Sequence, residues 1–144
     1  MLKAILWDND GVLVDTEGLY FQACRETLER LGVRLSEARF IELFLKASEG
    51  LTKIAAEHGI DEQALEPARI WRNARYTELL RAGVPVIDGA RQVLRQLHGT
   101  VRMGIVTSSR REHFEIIHAA TGLLDCIDFT LVREDYRHSK PDPE

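Results

Sequence analysis

MLKAILWDNDGVLVDTE, residues 1–17, sets a short apolar run directly against two carboxylates. Ala4-Ile5-Leu6-Trp7 is continuous and apolar, which reads as a strand buried on both faces, as in a parallel sheet. The run stops at Asp8-Asn9-Asp10-Gly11, where Asp-Gly signals a turn. Two acids one residue apart at the tip of an oily strand need a reason, and the remainder of the chain supplies candidates for it.

After the turn the chain reads as helical for a long way. Tyr20, Ala23, Cys24, Thr27, Leu28 and Leu31 recur at three- and four-residue spacing, and Gly32 is a natural stop. Phe40, Leu43 and Phe44 form a second stripe. Leu51, Ile54, Ala55 and His58 form a third, closed by Gly59. Pro67 can begin a fourth helix carrying Trp71, Tyr76, Leu79 and Leu80. Gly83, Pro85 and Gly89 then punctuate a connector, and Asp88 can cap a helix bearing Val93, Leu94 and Leu97. A strand from Val101 to Val106 ends in Thr107-Ser108-Ser109. A helix with Phe114, Ile117 and His118 on one side follows, and Ile127 to Val132 reads as a third strand. Strand–helix–strand alternation implies a parallel α/β sheet with right-handed crossovers, interrupted after its first strand by an all-helical insertion.

The bulk numbers narrow the class. The chain has 144 residues, 44% hydrophobic and 29% charged, ordinary values for a globular domain that buries a core without staples. A net charge of −4 provides no basic field for nucleic acid. Cys24 and Cys126 are too few for a disulfide framework and lack metal-ligand spacing, which fits a reducing, cytoplasmic compartment. One Lys, a short apolar run and then acids do not make a signal peptide, and no stretch reaches the apolar length of a membrane span.

In an open parallel sheet, ligands bind beyond the carboxyl ends of the strands. The first strand ends at Asp8 and the second at Thr107-Ser108-Ser109. Past the third lies RHSKPDPE (137–144) with Lys140. Each feature alone has an ordinary explanation: a turn, a helix cap, a solvated loop lysine. Together they suit phosphoryl transfer. A carboxylate can attack phosphorus, a second can move the proton, and hydroxyls with a cation can hold the phosphoryl oxygens. Two acids this close repel, which a hard cation such as Mg²⁺ would relieve.

WDNDGVLVDTE (7–17) resembles the first motif of the haloacid dehalogenase superfamily. GIVTSS (104–109) resembles its second motif and SKPDPE (139–144) its third. PVIDGARQVLRQL (85–97) is similar to the segment that re-enters the core after a helical cap. The branch indicated contains β-phosphoglucomutase, phosphoglycolate phosphatase and related sugar-phosphate phosphatases. The resemblance implies an α/β fold: a Rossmann-like parallel core at 1–15 and 83–144, incomplete at about three strands, with a helical cap inserted at 16–82. It implies Asp8 as nucleophile and Asp10 as general acid/base. Mg²⁺ would sit on an Asp8 side-chain oxygen and the Asp10 backbone carbonyl. Thr107, with Ser108 beside it, would bind the phosphoryl group of a small phosphorylated metabolite, and Lys140 would neutralise charge. The dehalogenases of the superfamily lack the second acid, so Asp10 argues for phosphatase chemistry. Thr16 and Glu17 fall where the family's chain turns into the cap, and Trp7 stands where the family commonly has Phe.

The family also carries a fourth, acidic motif at a further strand end, which residues 141–144 do not supply; Asp142-Pro143 instead reads as a helix start. The expectation is therefore a fragment, itself inactive or impaired, whose longer form is active. In it Ala4–Trp7 would be an exposed edge. The alternative is an intact small protein that self-associates through that edge, exchanging segments.

Three rivals remain at this level. A mutase would share the core residues and differ in the cap, where Lys46, Ser48 and Lys53 are candidate substrate contacts or simply solvated. A receiver-type phospho-acceptor domain would place its acceptor Asp on a middle strand and has no helical block. A non-catalytic remnant would only bind a partner. The five histidines show no ligand spacing; His138, near Lys140, reads as a loop residue, and Arg110 and Arg111 as the first turn of a surface helix.

Overall fold

A computed structural model describes residues 2–46, 50–138 and 140–142. The chain divides into two compact units, Met1–Glu17 with Leu80–Glu144, and Gly18–Leu79.

The first unit holds a three-stranded parallel sheet in the order β1-β2-β3, formed by β1 (Ala4–Trp7), β2 (Arg102–Val106) and β3 (Phe129–Leu131). Ala4 pairs with Arg102 and Trp7 with Ile105, while Gly104 pairs with Phe129 and Val106 with Leu131. β2 is the central strand, so Met103 and Ile105 are fully buried. The third strand is shorter than the expected Ile127–Val132: at its start the Asp128 carboxylate accepts from the Met103 N–H at 2.7 Å, and at its end the Val132 N–H turns to the Asp135 carboxylate at 2.9 Å.

β1 corrects the reading of a strand buried on both faces and agrees with the exposed edge expected of Ala4–Trp7 in this chain. Among the described residues it pairs with β2 alone, Leu6 is 63% exposed, and Ile5 and Trp7 are half-buried. A continuous apolar run has no periodicity from which to tell a central strand from an edge strand. The indole N–H of Trp7 is buried and meets no acceptor among the described residues.

Two helices flank the strands: α5 (Ala90–Leu97) precedes β2 and α6 (Arg111–His118) follows it. Asp88 does not cap α5. Gly89 holds that place with φ +82°, a conformation open to glycine and costly for other residues, and no side chain caps there. At α6 the first free N–H, that of Arg111, is instead satisfied by the Glu134 carboxylate at 2.9 Å.

The second unit is all helical. α1 (Glu17–Arg30) buries Ala23, Cys24, Thr27 and Leu28 on one face, as its spacing predicts. The Phe40 stripe differs from a plain helix: α2 (Glu37–Phe40), capped by the Ser36 hydroxyl, widens at once into a π-helical stretch, Ile41–Lys46. α3 (Gly50–Glu57) and α4 (Glu62–Arg81) complete the unit. α4 begins five residues before Pro67. Asp61 accepts from the Ala64 N–H at 2.8 Å and caps it, and Pro67 lies inside the helix at the cost of one main-chain bond. Lys46 and Lys53 are exposed, Ser48 lies outside the described residues, and so does Pro143 of the expected C-terminal helix start. Among the described residues no helix is long and apolar enough to cross a membrane.

Candidate functional site

The loop after β1 is organised by Asn9. Its carbonyl accepts from Val12, Leu13 and Val14 N–H groups at 3.2, 2.9 and 3.2 Å, and the Gly11 N–H returns to the Val14 carbonyl at 2.8 Å. This tight reversal needs φ +75° at Gly11. Leu13 and Val14 are buried by it, and the loop is tied to the connector by Asp15 N–H to the Pro85 carbonyl, 2.8 Å, and Ile87 N–H to the Leu13 carbonyl, 3.0 Å. The carboxylates of Asp8 and Asp10 are thus mounted on a loop whose backbone groups are largely spoken for.

Asp8 is half-exposed and accepts from the Asn9 N–H at 2.8 Å. The ammonium of Lys140 lies 3.1 Å from Asp8 Oδ1 and donates to the Val106 carbonyl at 3.3 Å. Residues 132 apart in sequence therefore meet at one strand end.

Asp10 is held differently. Thr16 donates to its Oδ1 at 2.7 Å; Ser109 and Thr107 donate to its Oδ2 at 2.7 and 3.2 Å; the Asn9 amide adds a long contact at 3.4 Å. Thr107 and Thr16 are buried. The Thr107 hydroxyl also accepts from the Ser109 N–H at 3.1 Å, so it braces Asp10 and shapes its own turn. Ser108 is exposed and stands outside this cluster.

The segment after β3 closes the end of β2. The Tyr136 hydroxyl donates to the Thr107 carbonyl at 2.9 Å, and the Arg133 N–H to the Ser109 carbonyl at 3.0 Å. The structure thus brings Asp8 to Lys140 and Asp10 to Thr107, and leaves Ser108 facing solvent.

Four contributors escape the motif reading: Asn9, Ser109, Tyr136 and His118. Ser109 was available as one of three hydroxyls. Asn9 lay between the two acids but carried no signal of its own. His118 is buried, with its Nε2 2.7 Å from Asn9 Oδ1 and its Nδ1 2.8 Å from the Thr121 hydroxyl. Burial pushes its pKa down from 6.5 to about 4, the nearby Asp10 charge opposing this only in part, so the ring is neutral at pH 7. A histidine on the apolar side of α6 reads as helix periodicity, and nothing local reveals a partner 109 residues away.

A cation has limited purchase here. Among the described residues no group of three or more His, Cys, Asp and Glu side chains converges, and the Asp10 carboxylate is enclosed by hydroxyls. That leaves the Asp8 carboxylate and the Asp10 main-chain carbonyl. Two oxygens suit Mg²⁺, which keeps several waters and commonly takes one or two protein anchors with phosphate oxygens.

Known proteins share this arrangement of sequence. The chain is 31% identical over 147 residues to a protein of Lacticaseibacillus casei known only by its place in the fgs 3' region, covering 100% of this chain and 67% of that one. It is 31% identical over 151 residues to validoxylamine A 7'-phosphate phosphatase of Streptomyces hygroscopicus subsp. limoneus, covering 100% of this chain and 68% of that one. Against fructose-1-phosphate phosphatase YqaB of Escherichia coli K12 the identity is 25%, over 97% of this chain and 74% of the relative. The chain thus spans about two thirds to three quarters of these relatives. Among solved structures, CbbY of Rhodobacter sphaeroides in complex with phosphate superposes with a TM-score of 0.77 at 21% identity, over 99% of this chain and 68% of that one, which speaks for the fold. The family model for haloacid dehalogenase-like hydrolases matches residues 2–144. With that match across the chain, the expected parallel sheet and phosphatases among its relatives, the protein belongs to the haloacid dehalogenase-like hydrolase family.

Proposed function

We propose that the protein hydrolyses small phosphate monoesters, sugar phosphates or phosphoglycolate-like acids, through a phosphorylated Asp8. The observation that carries this reading is the division of labour between the two acids. Asp8 is half-exposed with an ammonium 3.1 Å away, whereas Asp10 is gripped by three hydroxyls. An open carboxylate beside a cation suits attack on a phosphate, whose own charge otherwise repels it. A carboxylate held rigidly suits proton transfer, which demands position more than freedom.

In the first step an Asp8 oxygen forms a bond to phosphorus. The ester P–O bond breaks, and the leaving oxygen takes a proton from Asp10, which starts the step as the protonated acid in the substrate complex and ends it as the carboxylate. In the second, water attacks the phosphorus of the acyl phosphate and gives its proton to Asp10; inorganic phosphate leaves and Asp8 is restored. Lys140, the exposed Ser108 and Thr107 are the donors assigned to the phosphoryl oxygens; the Thr107 hydroxyl would turn from Asp10 Oδ2 to the phosphoryl group when substrate binds. Mg²⁺, held by the Asp8 carboxylate and the Asp10 carbonyl, would supply positive charge to the nucleophile and phosphoryl oxygens. The substrate class follows the relatives, whose names specify phosphorylated sugars such as N-acetylmuramic acid 6-phosphate and fructose 1-phosphate.

The test is a panel of sugar phosphates and phosphoglycolate with Mg²⁺, read as released phosphate, with acid-quenched protein analysed by peptide mass spectrometry. Phosphate release with the added mass on Asp8, both lost in Asp8→Asn, is the expected result. Release that persists in Asp8→Asn, or the mass on another residue, overturns the reading. Conversion of one sugar phosphate to an isomer without phosphate release would replace the hydrolase by a mutase.

A further inference from the structure

Behind the two acids runs a buried line of side chains that the proposed chemistry does not use. Asn9, His118 and Thr121 are 0%, 6% and 5% exposed. Thr121 accepts from the Leu123 N–H at 3.3 Å and sits 2.8 Å from His118 Nδ1; His118 Nε2 lies 2.7 Å from Asn9 Oδ1; the Asn9 amide nitrogen lies 3.4 Å from Asp10 Oδ2.

The polarity of this line follows from its last member. The Asp10 oxygens are acceptors already serving three hydroxyls, so Asn9 must turn its NH₂ toward them and its carbonyl oxygen toward His118. A carbonyl oxygen facing Nε2 requires the proton there. Nδ1 is then bare and accepts from the Thr121 hydroxyl, which is left free to accept from Leu123. Every donor meets an acceptor in one direction only. Reversing any one member would set two donors or two acceptors against each other in a buried place, where water cannot satisfy them.

The line is anchored along its length. Phe114 packs on the imidazole with ring centres 4.6 Å apart, and the Arg91 guanidinium donates to the Thr121 carbonyl at 2.5 Å. At the other end Asn9 is the residue between the two acids, and its carbonyl gathers the three N–H groups that shape their loop.

We propose that His118, as the neutral Nε2–H tautomer, is a positioning residue that fixes the Asn9 side chain and through it the placement of Asp8 and Asp10; its kinetic expression rests on the phosphoryl-transfer reading above. His118 touches no reacting atom. Its effect belongs in kcat, because geometry at the acids matters more in the transition state than in substrate binding.

The experiment uses the 144-residue chain with its histidines labelled with nitrogen-15, and the variants His118→Phe and His118→Gln. Imidazole nitrogen spectra at pH 7 should show His118 protonated on Nε2 alone. In His118→Phe, which keeps ring volume and removes both bonds, the Asn9 side-chain amide and Asp10 carboxylate resonances should shift. The same variant should lower kcat for phosphate release by ~10–100-fold with KM held within about twofold. His118→Gln, which retains a donor and an acceptor, should recover most of that loss. An Nδ1–H tautomer or an imidazolium at pH 7 overturns the inference. So do unmoved Asn9 and Asp10 resonances in a folded His118→Phe, or a change confined to KM. Should His118→Phe fail to fold, the wild-type tautomer and the His118→Gln spectra decide. Should no variant and no wild type turn over, the spectra decide alone: a shifted Asn9 amide in His118→Phe upholds the positioning role and an unmoved one overturns it.

Discussion

Gly104→Ala tests whether the sheet that carries the site is as tightly packed as its geometry requires. Gly104 is in the middle of β2, paired with Phe129, whose ring lies over it. A Cβ at this position would meet Phe129 Cζ, Cε2 and Cε1 at 2.3, 2.5 and 2.7 Å. Carbon atoms rest at about 3.5–4.0 Å, so the ring has to withdraw by more than ~1 Å. Overpacking of this kind costs about 1–3 kcal/mol. Displacing the ring also disturbs the Arg102 guanidinium 5.6 Å from its centre, worth roughly 0.5–1 kcal/mol at a half-exposed site. Against this, alanine restricts the unfolded chain by about 0.4–1 kcal/mol relative to glycine. The net expectation is a loss of about 1–3 kcal/mol. Urea unfolding followed by Trp7 fluorescence in a Trp71→Phe background reads this unit alone, because Trp7 and Trp71 belong to different units. A further Phe129→Leu substitution, which shortens the clashing group, should restore part of the loss. Stability unchanged within about 0.5 kcal/mol, or a loss that Phe129→Leu deepens, would refute the packing argument.

Other perturbations separate stability from chemistry. Lys140→Met removes a surface ion pair, which costs less than about 1 kcal/mol of stability, yet should lower turnover at least ~100-fold because the Asp8 site loses its cation; equal small effects on both would remove Lys140 from the site. Ser109→Ala deletes a 2.7 Å donor to Asp10 and should cut kcat about tenfold with little change in thermal midpoint, as read by steady-state kinetics beside calorimetry. His118 is held neutral in the fold, with its pKa lowered from 6.5 to about 4. Its contribution is therefore fully present above pH ~6.5 and lost as pH falls toward 4, by up to roughly 3 kcal/mol. Urea midpoints should consequently fall more steeply over that window in the wild type than in His118→Gln. Cys24 is buried and its thiol pushed up to about 12, chiefly by burial, while Cys126 is half-buried. Thiol labelling should modify Cys126 first and Cys24 only as the helical unit opens.

What local sequence reveals is local structure. The spacing in α1 marks its buried face, and strand segments alternating with helices, the first ending in acids and the second in hydroxyls, mark a parallel sheet and the side on which the acids emerge. Where two local signals compete, sequence order does not say which one wins. Pro67 looks like a helix start, but Asp61 has the capping carboxylate and starts α4 earlier. Asp88 looks like a cap, but Gly89 takes the place because the backbone there needs a positive φ. Burial of β1 depends on how many neighbours it has, which the composition of four residues does not contain. The site divides in the same way. Asp8, Asp10, Thr107 and Lys140 stand at strand ends and within recognisable motifs. Ser109, Tyr136 and His118 act through contacts 99, 29 and 109 residues away, chosen by the folded geometry alone.

The edge position of β1 has a mechanical consequence for Asp8. Among the described residues the strand is fastened to β2 along one side, like a cantilever with Asp8 at its free tip. The sheet resists sliding of β1 along β2 but offers less resistance to swinging about that single hinge line. What steadies the tip lies elsewhere: the Lys140 strut to Asp8, the Asp15 and Ile87 ties to the connector, and the three amides drawn onto the Asn9 carbonyl. These ties are the guy-lines of the site, and loosening one would blur the aim of Asp8 while the pairing of β1 with β2 stayed intact.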